Sequence, residues 1–269
     1  MKFYGLFGKT LGHSISQQIH KKIYEVAGID AAYKNFEITE NQLPVALESL
    51  QILGITGANI TIPYKQDFIP LINKLSPLAE RLHSVNTIKN VNGAFEGYNT
   101  DYAGIALTFE LKNWQVKDKQ AYILGSGGAS LAIAHYLSDQ GAQSVTIVSR
   151  SAGQKNGPWK YIDYAELKKH SGDFLVNCTP IGMYPDVDAS PVDETVIAQF
   201  NYLFDMTYNP AVTKFLGIGN SLGKDTVNGL DMLVGQAIRS VEIWEERTFT
   251  QDEVLSILNY FRENWNGAK

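Results

Sequence analysis

A short glycine-rich segment has the composition of a turn that binds phosphate groups. Gly125, Gly127 and Ser130 have the spacing G-x-G-x-x-small, directly after the apolar run Tyr122–Leu124. In such turns the first glycine allows the bend, the second lets backbone approach a pyrophosphate, and the small third residue lets helix and strand pack closely. Free N–H groups at the start of the following helix favour an anion. We therefore predict a dinucleotide site rather than a plain strand-to-helix turn.

The residues after the next predicted strand distinguish between the two nicotinamide cofactors. Sites for NAD usually carry an Asp or Glu about 20 residues after the glycine turn, which accepts a hydrogen bond from the ribose 2′-OH. This chain has Ser149, Arg150 and Ser151 there, and Lys155 adds positive charge. A guanidinium suits a 2′-phosphate through charge-assisted hydrogen bonds. We expect NADP; the alternative is that Arg150 is an ordinary surface arginine.

Polar clusters also occur where the core of a helix or strand would not place them. In the first part of the chain they are His13-Ser-Ile-Ser16, Asn59-Ile-Thr-Ile-Pro-Tyr-Lys65, Val85-Asn-Thr87 and Asn99-Thr-Asp101. A further one, Asn228-Gly-Leu-Asp-Met-Leu-Val-Gly-Gln236, lies towards the C-terminal end. Together they supply an ammonium, a carboxylate, amides and hydroxyls, which are groups that bind and transform a small polar substrate.

In this order the segments resemble the shikimate dehydrogenase family. The resemblance covers nearly the whole chain and includes the glycine turn, Asn177-Cys-Thr-Pro-Ile-Gly-Met183 and Phe204-Asp-Met-Thr-Tyr-Asn-Pro210. It implies an oxidoreductase that uses NADPH to reduce the ketone of 3-dehydroshikimate to shikimate, reversibly. This reaction belongs to the shikimate pathway, which leads to chorismate and the aromatic amino acids. The reaction needs no metal.

The resemblance also implies a role for each matching residue. The catalytic pair would be Lys65 and Asp101. The substrate would be bound by Ser14, Ser16, Asn59, Thr61, Asn86, Tyr208 and Gln236, with the two serines on its carboxylate. The cofactor would be surrounded by Gly125, Ser126, Gly127, Gly128, Ala129, Ser130, Ser149, Arg150, Ser151, Thr179, Met206 and Gly229.

The chemistry of ketone reduction agrees with these residue types. Hydride that arrives at a carbonyl carbon leaves negative charge on the oxygen, which an ammonium can stabilise and protonate. A neighbouring carboxylate would keep Lys65 charged and oriented. We expect Lys65 to donate the proton in reduction and to accept it in oxidation. The reverse assignment, with Asp101 as the proton carrier, stays open because coupled groups titrate as a pair.

Each of these residues also has an explanation without catalysis. Asp101 could cap the helix predicted to begin there, and Lys65 could be a solvated lysine. Ser14 and Ser16 could be ordinary loop serines, and Gln236 could be a buried amide with a backbone partner. The joint occurrence of all of them in the family order favours the functional interpretation.

The sequence departs from the family pattern at several positions. Thr10 and Gln17 stand where prolines are frequent, close to the serines expected to hold the carboxylate. Ser149-Arg150-Ser151 replaces the usual Asn-Arg-Thr, and Gln154 replaces a second arginine. The segment 152–158 is too short and too rich in Gly and Pro for the helix usual at that place. We therefore expect the adenine end of the cofactor site to be more open.

Two other functions fit parts of the pattern. The first is a sister dehydrogenase for quinate or an aminoshikimate, using NAD or NADP. The second is a non-catalytic sensor that binds shikimate on the same fold. The presence of both Lys65 and Asp101 argues against a sensor.

Alternating strand-like and helix-like segments predict an α/β protein with mostly parallel sheets. For the first sheet the predicted strands are Phe3–Gly8, Ala32–Ile38, Gly57–Ile62, Val85–Lys89 and Ala94–Tyr98. For a second, Rossmann-like sheet they are Lys119–Leu124, Ser144–Ser149, Gly172–Cys178 and Tyr202–Met206. Helices are expected before Gly28, over Gln42–Leu53, over Asp101–Asn113, up to Leu137, and twice near the C-terminal end, where Thr250 and Glu253 form a capping box.

Two domains follow from this pattern. We expect a substrate-binding domain over 1–100, an NADP-binding domain over 101–236, and C-terminal helices over 237–269 that pack back on the substrate domain. Closure of a cleft between the domains is expected, since ligands often bind at such interfaces.

Composition limits the partners and the compartment. The chain has 269 residues, a formal net charge of −5 and 44% hydrophobic residues. Because acids and bases are interspersed, we expect no nucleic acid partner and no membrane surface partner. The single cysteine, Cys178, the absence of a signal-peptide pattern and the lack of an apolar run near ~20 residues indicate a soluble, cytoplasmic protein. We expect its partner to be a small-molecule substrate, and we expect the chain to be a monomer or a homodimer.

Overall fold

The chain folds into two compact units, each built from two stretches of sequence. The computed structural model describes residues 1–154 and 157–265. The first unit consists of Met1–Gly104 and Leu233–Tyr260, and the second of Ile105–Met232 and the residues from Phe261 on. Among the described residues, each sheet has six strands. The predicted α/β class is confirmed.

The first unit has a mixed sheet. Its elements are β1 Lys2–Gly8, α1 Ser16–Ala27, β2 Ala31–Glu37, α2 Leu43–Ile52, β3 Gly57–Ile60, β4 Lys74–Leu75, α3 Pro77–Leu82, β5 Thr87–Val91 and β6 Ala94–Tyr98. The strand order is β2-β1-β3-β5-β6-β4. Strand β1 runs parallel to β2 and β3, whereas β5 is antiparallel to β3 and β6. The antiparallel pair follows from the tight turn between β5 and β6, since a parallel pair needs a long crossover.

Local sequence explains several boundaries in this unit. Helix α1 ends at Gly28, whose φ of 64° is a left-handed conformation that glycine adopts without strain. Asn92 and Gly93 both have positive φ, 52° and 87°, as the two central residues of a type I′ hairpin turn do. The core beneath the sheet is apolar and includes the fully buried Leu50 and Phe68.

The second unit has a fully parallel sheet. Its elements are α4 Asp101–Leu111, which starts in the first unit, then β7 Gln120–Leu124, α5 Gly128–Asp139, β8 Ser144–Val148, β9 Lys160–Ile162, α6 Tyr164–Leu167, β10 Phe174–Asn177, α7 Glu194–Ile197, β11 Tyr202–Asp205, α8 Lys214–Ser221 and β12 Asp225–Val227. The strand order is β12-β11-β10-β7-β8-β9. The order reverses between β7 and β10, and ligands of such sheets bind at the carboxyl ends of the strands at this switch.

Two edge strands of this sheet escape prediction. Strands β9 and β12 have three residues each, which is too short for a period-two pattern to stand out. After β8, a single turn of 3₁₀ helix covers Ala152–Gln154 in place of a longer helix. Lys155, predicted to add charge there, lies outside the described residues.

Two long helices complete the described chain, α9 Leu230–Glu245 and α10 Gln251–Asn264. The predicted capping box is present: the Thr250 N–H donates to Glu253 Oε2 over 2.8 Å, and the Glu253 N–H donates to Thr250 Oγ1 over 3.3 Å. Arg262 donates two hydrogen bonds to Asp231, which ties the end of α10 to the start of α9. Within 1–154 and 157–265, none of the helices combines the length and apolar character needed to cross a bilayer.

Candidate functional sites

Lys65 and Asp101 form an ion pair in the first unit. Lys65 lies in the turns after β3, and Asp101 is the first residue of α4. The Lys65 Nζ atom lies 2.5 Å from Asp101 Oδ2, and the two side chains are 19% and 7% exposed. The Lys65 carbonyl accepts a hydrogen bond from the Val85 N–H, which fixes the turn against the segment that leads into β5.

Asp101 is held through its backbone as well as its side chain. Its N–H, at the first position of α4, donates to Asn99 Oδ1 over 3.0 Å. The second carboxylate oxygen of Asp101 accepts from Asn86 Nδ2 over 2.9 Å. Both oxygens are therefore held, one by an ammonium and one by an amide.

Asn59 and Asn86 are buried, and their amides are almost fully hydrogen-bonded. Asn59 Oδ1 accepts from the Tyr33 hydroxyl over 2.8 Å, and its Nδ2 donates to Ser240 Oγ over 2.8 Å and to Thr87 Oγ1 over 3.0 Å. The Asn86 Oδ1 atom accepts from the Thr100 N–H over 2.7 Å. Each amide therefore has only one group left for a hydrogen bond to a ligand. For Asn59 this is one acceptor position on Oδ1, and for Asn86 it is one N–H of Nδ2.

Gln236 lies on α9 and extends this polar network. Its Nε2 donates to the Leu233 carbonyl over 2.9 Å, and its Oε1 accepts from the Thr100 hydroxyl over 3.4 Å. The backbone partner considered for Gln236 therefore exists, and the amide also reaches the network that holds Asp101. Thr87 and Thr100 lie within the sequence motifs but had no predicted role, and Tyr33 and Ser240 were not predicted as site residues. Of these last two, only Ser240 could have been found from the sequence, because it lies one helical turn after Gln236.

Ser14, in the loop before α1, and Ser16, the first residue of α1, form a separate pair. The Ser14 hydroxyl donates to Ser16 Oγ over 3.0 Å. The loop is held at both ends, because the Leu11 N–H donates to Glu37 Oε1 over 2.6 Å and Gln17 Nε2 donates to the Tyr33 carbonyl over 3.3 Å. Gln17 occupies a position at which prolines are frequent in the family pattern. A side-chain hydrogen bond therefore restrains the chain here in place of a proline ring.

Thr61 follows β3 directly. Its backbone N–H donates to the Phe7 carbonyl over 2.9 Å, and its side chain is half-buried. A Cβ atom built on Gly8 would lie 2.7 Å from Thr61 Cγ2, so the backbone of β1 approaches this threonine closely. The residues described include no group of three His, Cys, Asp or Glu side chains that could hold a metal ion.

The glycine turn of the second unit follows β7 and opens α5. Gly125 has a φ of 103°, and a Cβ there would lie 3.2 Å from Thr179 Cγ2. A Cβ at Gly127 would have no atom within 4 Å, so this backbone is open to an approaching group. Gly128 and Ala129 begin α5, and Ser130 is fully buried, which suits the third, small position of the motif.

Serine hydroxyls join this turn to the end of β8. Ser126 Oγ lies 3.2 Å from Ser149 Oγ, which lies 3.2 Å from Ser151 Oγ. Arg150 stands between these two serines in the sequence and is exposed. Arg150 is therefore accessible to a ligand, and the serine before it contacts the turn that has the dinucleotide spacing.

The carboxyl ends of β10 and β11 are joined by buried polar groups. Asn177 Oδ1 accepts from both the backbone N–H and the hydroxyl of Thr179, at 3.0 and 2.7 Å, and Asn177 Nδ2 donates to Asp205 Oδ1 over 3.1 Å. Asp205 also accepts from the Thr213 hydroxyl over 2.6 Å. Burial raises the pKa of Asp205 to about 6, although these hydrogen bonds oppose the shift.

Gly229 and Met206 meet at the start of α9. A Cβ atom at Gly229 would lie 2.1 Å from the Met206 carbonyl oxygen, so no larger residue fits without movement of the backbone. The Gly229 N–H donates to the Thr207 carbonyl over 3.0 Å. Cys178 follows β10, and burial raises the pKa of its thiol to about 12.

Tyr208 lies in the second unit, not in the unit that holds Lys65 and Asp101. Its carbonyl accepts from Trp265 Nε1 over 3.2 Å, and the two ring centroids are 6.0 Å apart. Burial raises the pKa of the Tyr208 phenol. The first unit thus unites Lys65, Asp101, Asn59, Asn86 and Gln236 in one network, and it also contains Ser14, Ser16 and Thr61 outside that network.

Comparison with known proteins identifies the same family as the motifs. A sequence profile of the shikimate dehydrogenase substrate binding domain matches residues 6–88. The shikimate dehydrogenase (NADP(+)) of Clostridium beijerinckii is 42% identical over 250 residues, which are 91% of this chain and 93% of that protein.

Solved structures agree over the full length. Shikimate dehydrogenase 1 from Peptoclostridium difficile is 43% identical and superposes with a TM-score of 0.92, covering 99% of this chain and 100% of that one. The Thermus thermophilus shikimate 5-dehydrogenase in complex with NADP(H) and shikimate is 25% identical, with a TM-score of 0.87 over 97% of this chain and 99% of that one. The predicted resemblance is confirmed, and the chain belongs to the shikimate dehydrogenase family.

Proposed function

We propose that this chain catalyses the reversible, NADPH-dependent reduction of 3-dehydroshikimate to shikimate, a step of the pathway to chorismate and the aromatic amino acids. The observation that carries the proposal is the ion pair of Lys65 with Asp101, 2.5 Å long and largely shielded from water, in a chain of this family. Within the proposal, the first unit supplies all the substrate-binding residues except Tyr208, and the second unit binds the dinucleotide.

Lys65 is the proton donor in this proposal. Bound NADPH would supply the hydride that the ketone carbon receives. The Lys65 ammonium stabilises the negative charge that develops on the oxygen and gives it a proton, and in the oxidation direction the amine takes the proton back. Asp101 orients Lys65 through Oδ2 and is itself oriented by Asn86 through Oδ1.

The remaining polar residues of the proposed substrate site bind and orient the ring. The spare acceptor position of Asn59 suits a substrate hydroxyl that donates, and the spare N–H of Asn86 suits one that accepts. The carboxylate is assigned to the serine pair, and the remaining contacts are assigned to Thr61, Tyr208 and Gln236. A substrate that lacks a matching hydroxyl would leave a buried amide without a hydrogen-bond partner. This cost is the physical basis of selectivity.

The second unit fits a dinucleotide. The open backbone at Gly127 leaves no side chain in the way of a pyrophosphate at the switch between β7 and β10. Gly125, Ser126, Gly128, Ala129 and Ser130 complete the turn, and Thr179 and Met206 line the neighbouring loops. Arg150, flanked by Ser149 and Ser151, is the proposed reader of the 2′-phosphate.

A matrix of four steady-state measurements, made on each of two proteins, tests the function. Shikimate and quinate are each oxidised with NADP and with NAD, by the unaltered chain and by Arg150→Ala. We expect the highest kcat/KM with shikimate and NADP. The Arg150→Ala variant should lose roughly 10- to 100-fold in kcat/KM with NADP, as expected for one lost charge-assisted contact, and little with NAD.

Other results of the matrix identify the alternatives. A higher kcat/KM with quinate than with shikimate indicates a sister dehydrogenase. A higher kcat/KM with NAD than with NADP contradicts the proposed role of Arg150 in binding the 2′-phosphate. Calorimetric binding of shikimate without turnover at any pH indicates a sensor. Arg239→Ala is the matched control, since Arg239 is another exposed arginine and pairs with Glu242 in the first unit.

The proposal includes a monomer or homodimer in a reducing, cytoplasmic compartment. The single cysteine, Cys178, is compatible with such a compartment. Analytical ultracentrifugation at micromolar concentration distinguishes these two states from larger assemblies.

A further inference from the structure

Three buried hydroxyl groups meet beneath the polar network of the first unit. They belong to Thr87 on β5, Thr100 before α4 and Ser240 on α9, here called the hydroxyl cluster, and each residue is at most 1% exposed. Ser240 Oγ lies 2.9 Å from Thr87 Oγ1 and 3.3 Å from Thr100 Oγ1. Buried hydroxyls are costly unless hydrogen-bonded, so their positions depend on one another.

Ser240 connects this cluster to Asn59. Its hydroxyl donates to the Gln236 carbonyl over 2.9 Å, so the oxygen is left to accept from Asn59 Nδ2 over 2.8 Å. The second N–H of Asn59 Nδ2 donates to Thr87 Oγ1 over 3.0 Å. One serine on α9 thus contacts groups that belong to β3, β5 and the start of α4.

The other two hydroxyls fix Asn86. Thr87 Oγ1 and Thr100 Oγ1 each lie 3.2 Å from Asn86 Oδ1, which also accepts from the Thr100 N–H. With its oxygen held in this way, the Asn86 amide presents Nδ2 to Asp101. A continuous series of hydrogen bonds therefore runs from Ser240 through Asn59 and Thr87 to Asn86, Asp101 and Lys65.

We propose that Ser240 is a positioning residue for the reaction, which acts through the hydroxyl cluster and Asn86 on the orientation of Asp101 and Lys65. The inference rests on the proposed dehydrogenase function. It assigns to Ser240 no contact with substrate, because its side chain is fully enclosed by protein groups. Its effect belongs to the proton-transfer geometry and hence to kcat.

The test compares Ser240→Ala with Ser49→Ala. Ser49 is a matched control: it lies on α2 in the same unit, and its hydroxyl donates to the carbonyl four residues earlier over 2.8 Å, as that of Ser240 does over 2.9 Å. For Ser240→Ala we expect kcat for shikimate oxidation to fall by about 5- to 50-fold per folded molecule, with KM for shikimate within twofold. The solvent isotope effect on kcat should increase, because proton transfer becomes slower.

A second pair of variants tests the same series if Ser240→Ala does not fold. Thr87→Val removes a hydroxyl at constant shape and should lower kcat as well, whereas Thr87→Ser keeps the hydroxyl and should restore kcat. A lowered melting temperature with unchanged kcat, or a raised KM alone, would overturn the inference. If the unaltered chain oxidises no shikimate, the proposed function fails instead, so the two failures are distinguishable.

Discussion

At the residue scale, the environment of the Lys65–Asp101 pair separates it from the other ion pairs of the first unit. Lys74 and Glu96 lie 3.1 Å apart, but the Lys74 side chain is 74% exposed, and such pairs contribute little. Lys65 is 19% exposed and faces a carboxylate that is almost enclosed. A nearly buried carboxylate needs partners, and Lys65 supplies the only ammonium with a hydrogen bond to Asp101 among the residues that the structure describes.

Replacement of Lys65 by alanine should therefore affect chemistry far more than binding. We expect turnover of shikimate to fall by roughly 10²- to 10⁴-fold, the range for loss of a general acid. Shikimate affinity measured by calorimetry should change only a few-fold, since the serine pair and the amides remain. Lys74→Ala is the control and should leave both quantities unchanged. Turnover within about tenfold of the unaltered chain, or ~1.4 kcal/mol, would exclude Lys65 as the proton donor.

At the element scale, the close approach of Gly229 to Met206 joins the start of α9 to the end of β11. The Cβ of an alanine would lie 2.1 Å from a backbone oxygen, which cannot move aside as the end of a side chain can. At Gly217 in α8, by contrast, there is room for a side chain, because an added Cβ would lie 4.0 Å from the nearest atom.

Gly229→Ala should lower the free energy of unfolding by about 1–3 kcal/mol, the cost of overpacking. It should also weaken NADP binding, because the segment around Gly229 must shift. Gly217→Ala should instead raise stability by roughly 0.5–1 kcal/mol, because alanine is favoured over glycine inside a helix. Urea unfolding and NADP titration measure both effects. Equal stabilities for the two variants would contradict the close packing at Gly229.

The elements that sequence could predict are those whose signals are local. The Asn92-Gly93 turn, the stop at Gly28 and the Thr250 capping box each depend on residues that are near in sequence, and all three are present. Strands β9 and β12 were missed because they are short and exist through pairing with distant strands. The strand orders follow from long-range pairing, which periodicity does not encode.

The same distinction applies to the candidate site. Lys65, Asp101 and the amides stood out because their motifs match a family, although their roles stay predictions. Tyr33 and Ser240 were missed because their partner, Asn59, is 26 and 181 residues away in the chain. A hydroxyl that matters only through such a contact looks ordinary in sequence.

At the scale of the whole molecule, each unit encloses a buried side chain whose charged form is disfavoured at mildly acidic pH. His20 in the first unit is fully buried and stacks on Tyr33, with ring centroids 3.9 Å apart, and burial lowers the pKa of His20 to about 3. Asp205 in the second unit has its pKa raised to about 6. Folding therefore disfavours the charged form of both groups, one a base and one an acid.

These two groups make opposite contributions to the pH dependence of stability. The stabilising effect of Asp205 is full below its unfolded pKa near ~3.9 and is lost as the pH rises through about 6. That of His20 is full above its unfolded pKa near ~6.5 and is lost as the pH falls towards about 3. Between pH 4 and 6 each contributes about 1.4 kcal/mol per pH unit, with opposite signs, so their sum is nearly constant.

Single substitutions should reveal each contribution. Relative to the unaltered chain, His20→Phe should gain free energy of unfolding as the pH falls from 6 to 4, because the ring stack remains and no buried imidazole has to stay neutral. Asp205→Asn should lose free energy of unfolding as the pH falls from 6 to 4. The pH dependence of the double variant should again match that of the unaltered chain. Asp186→Asn, at an exposed aspartate of the second unit, is the control. Urea unfolding at several pH values measures these differences, and parallel curves for all variants would show that neither group is held uncharged by the fold.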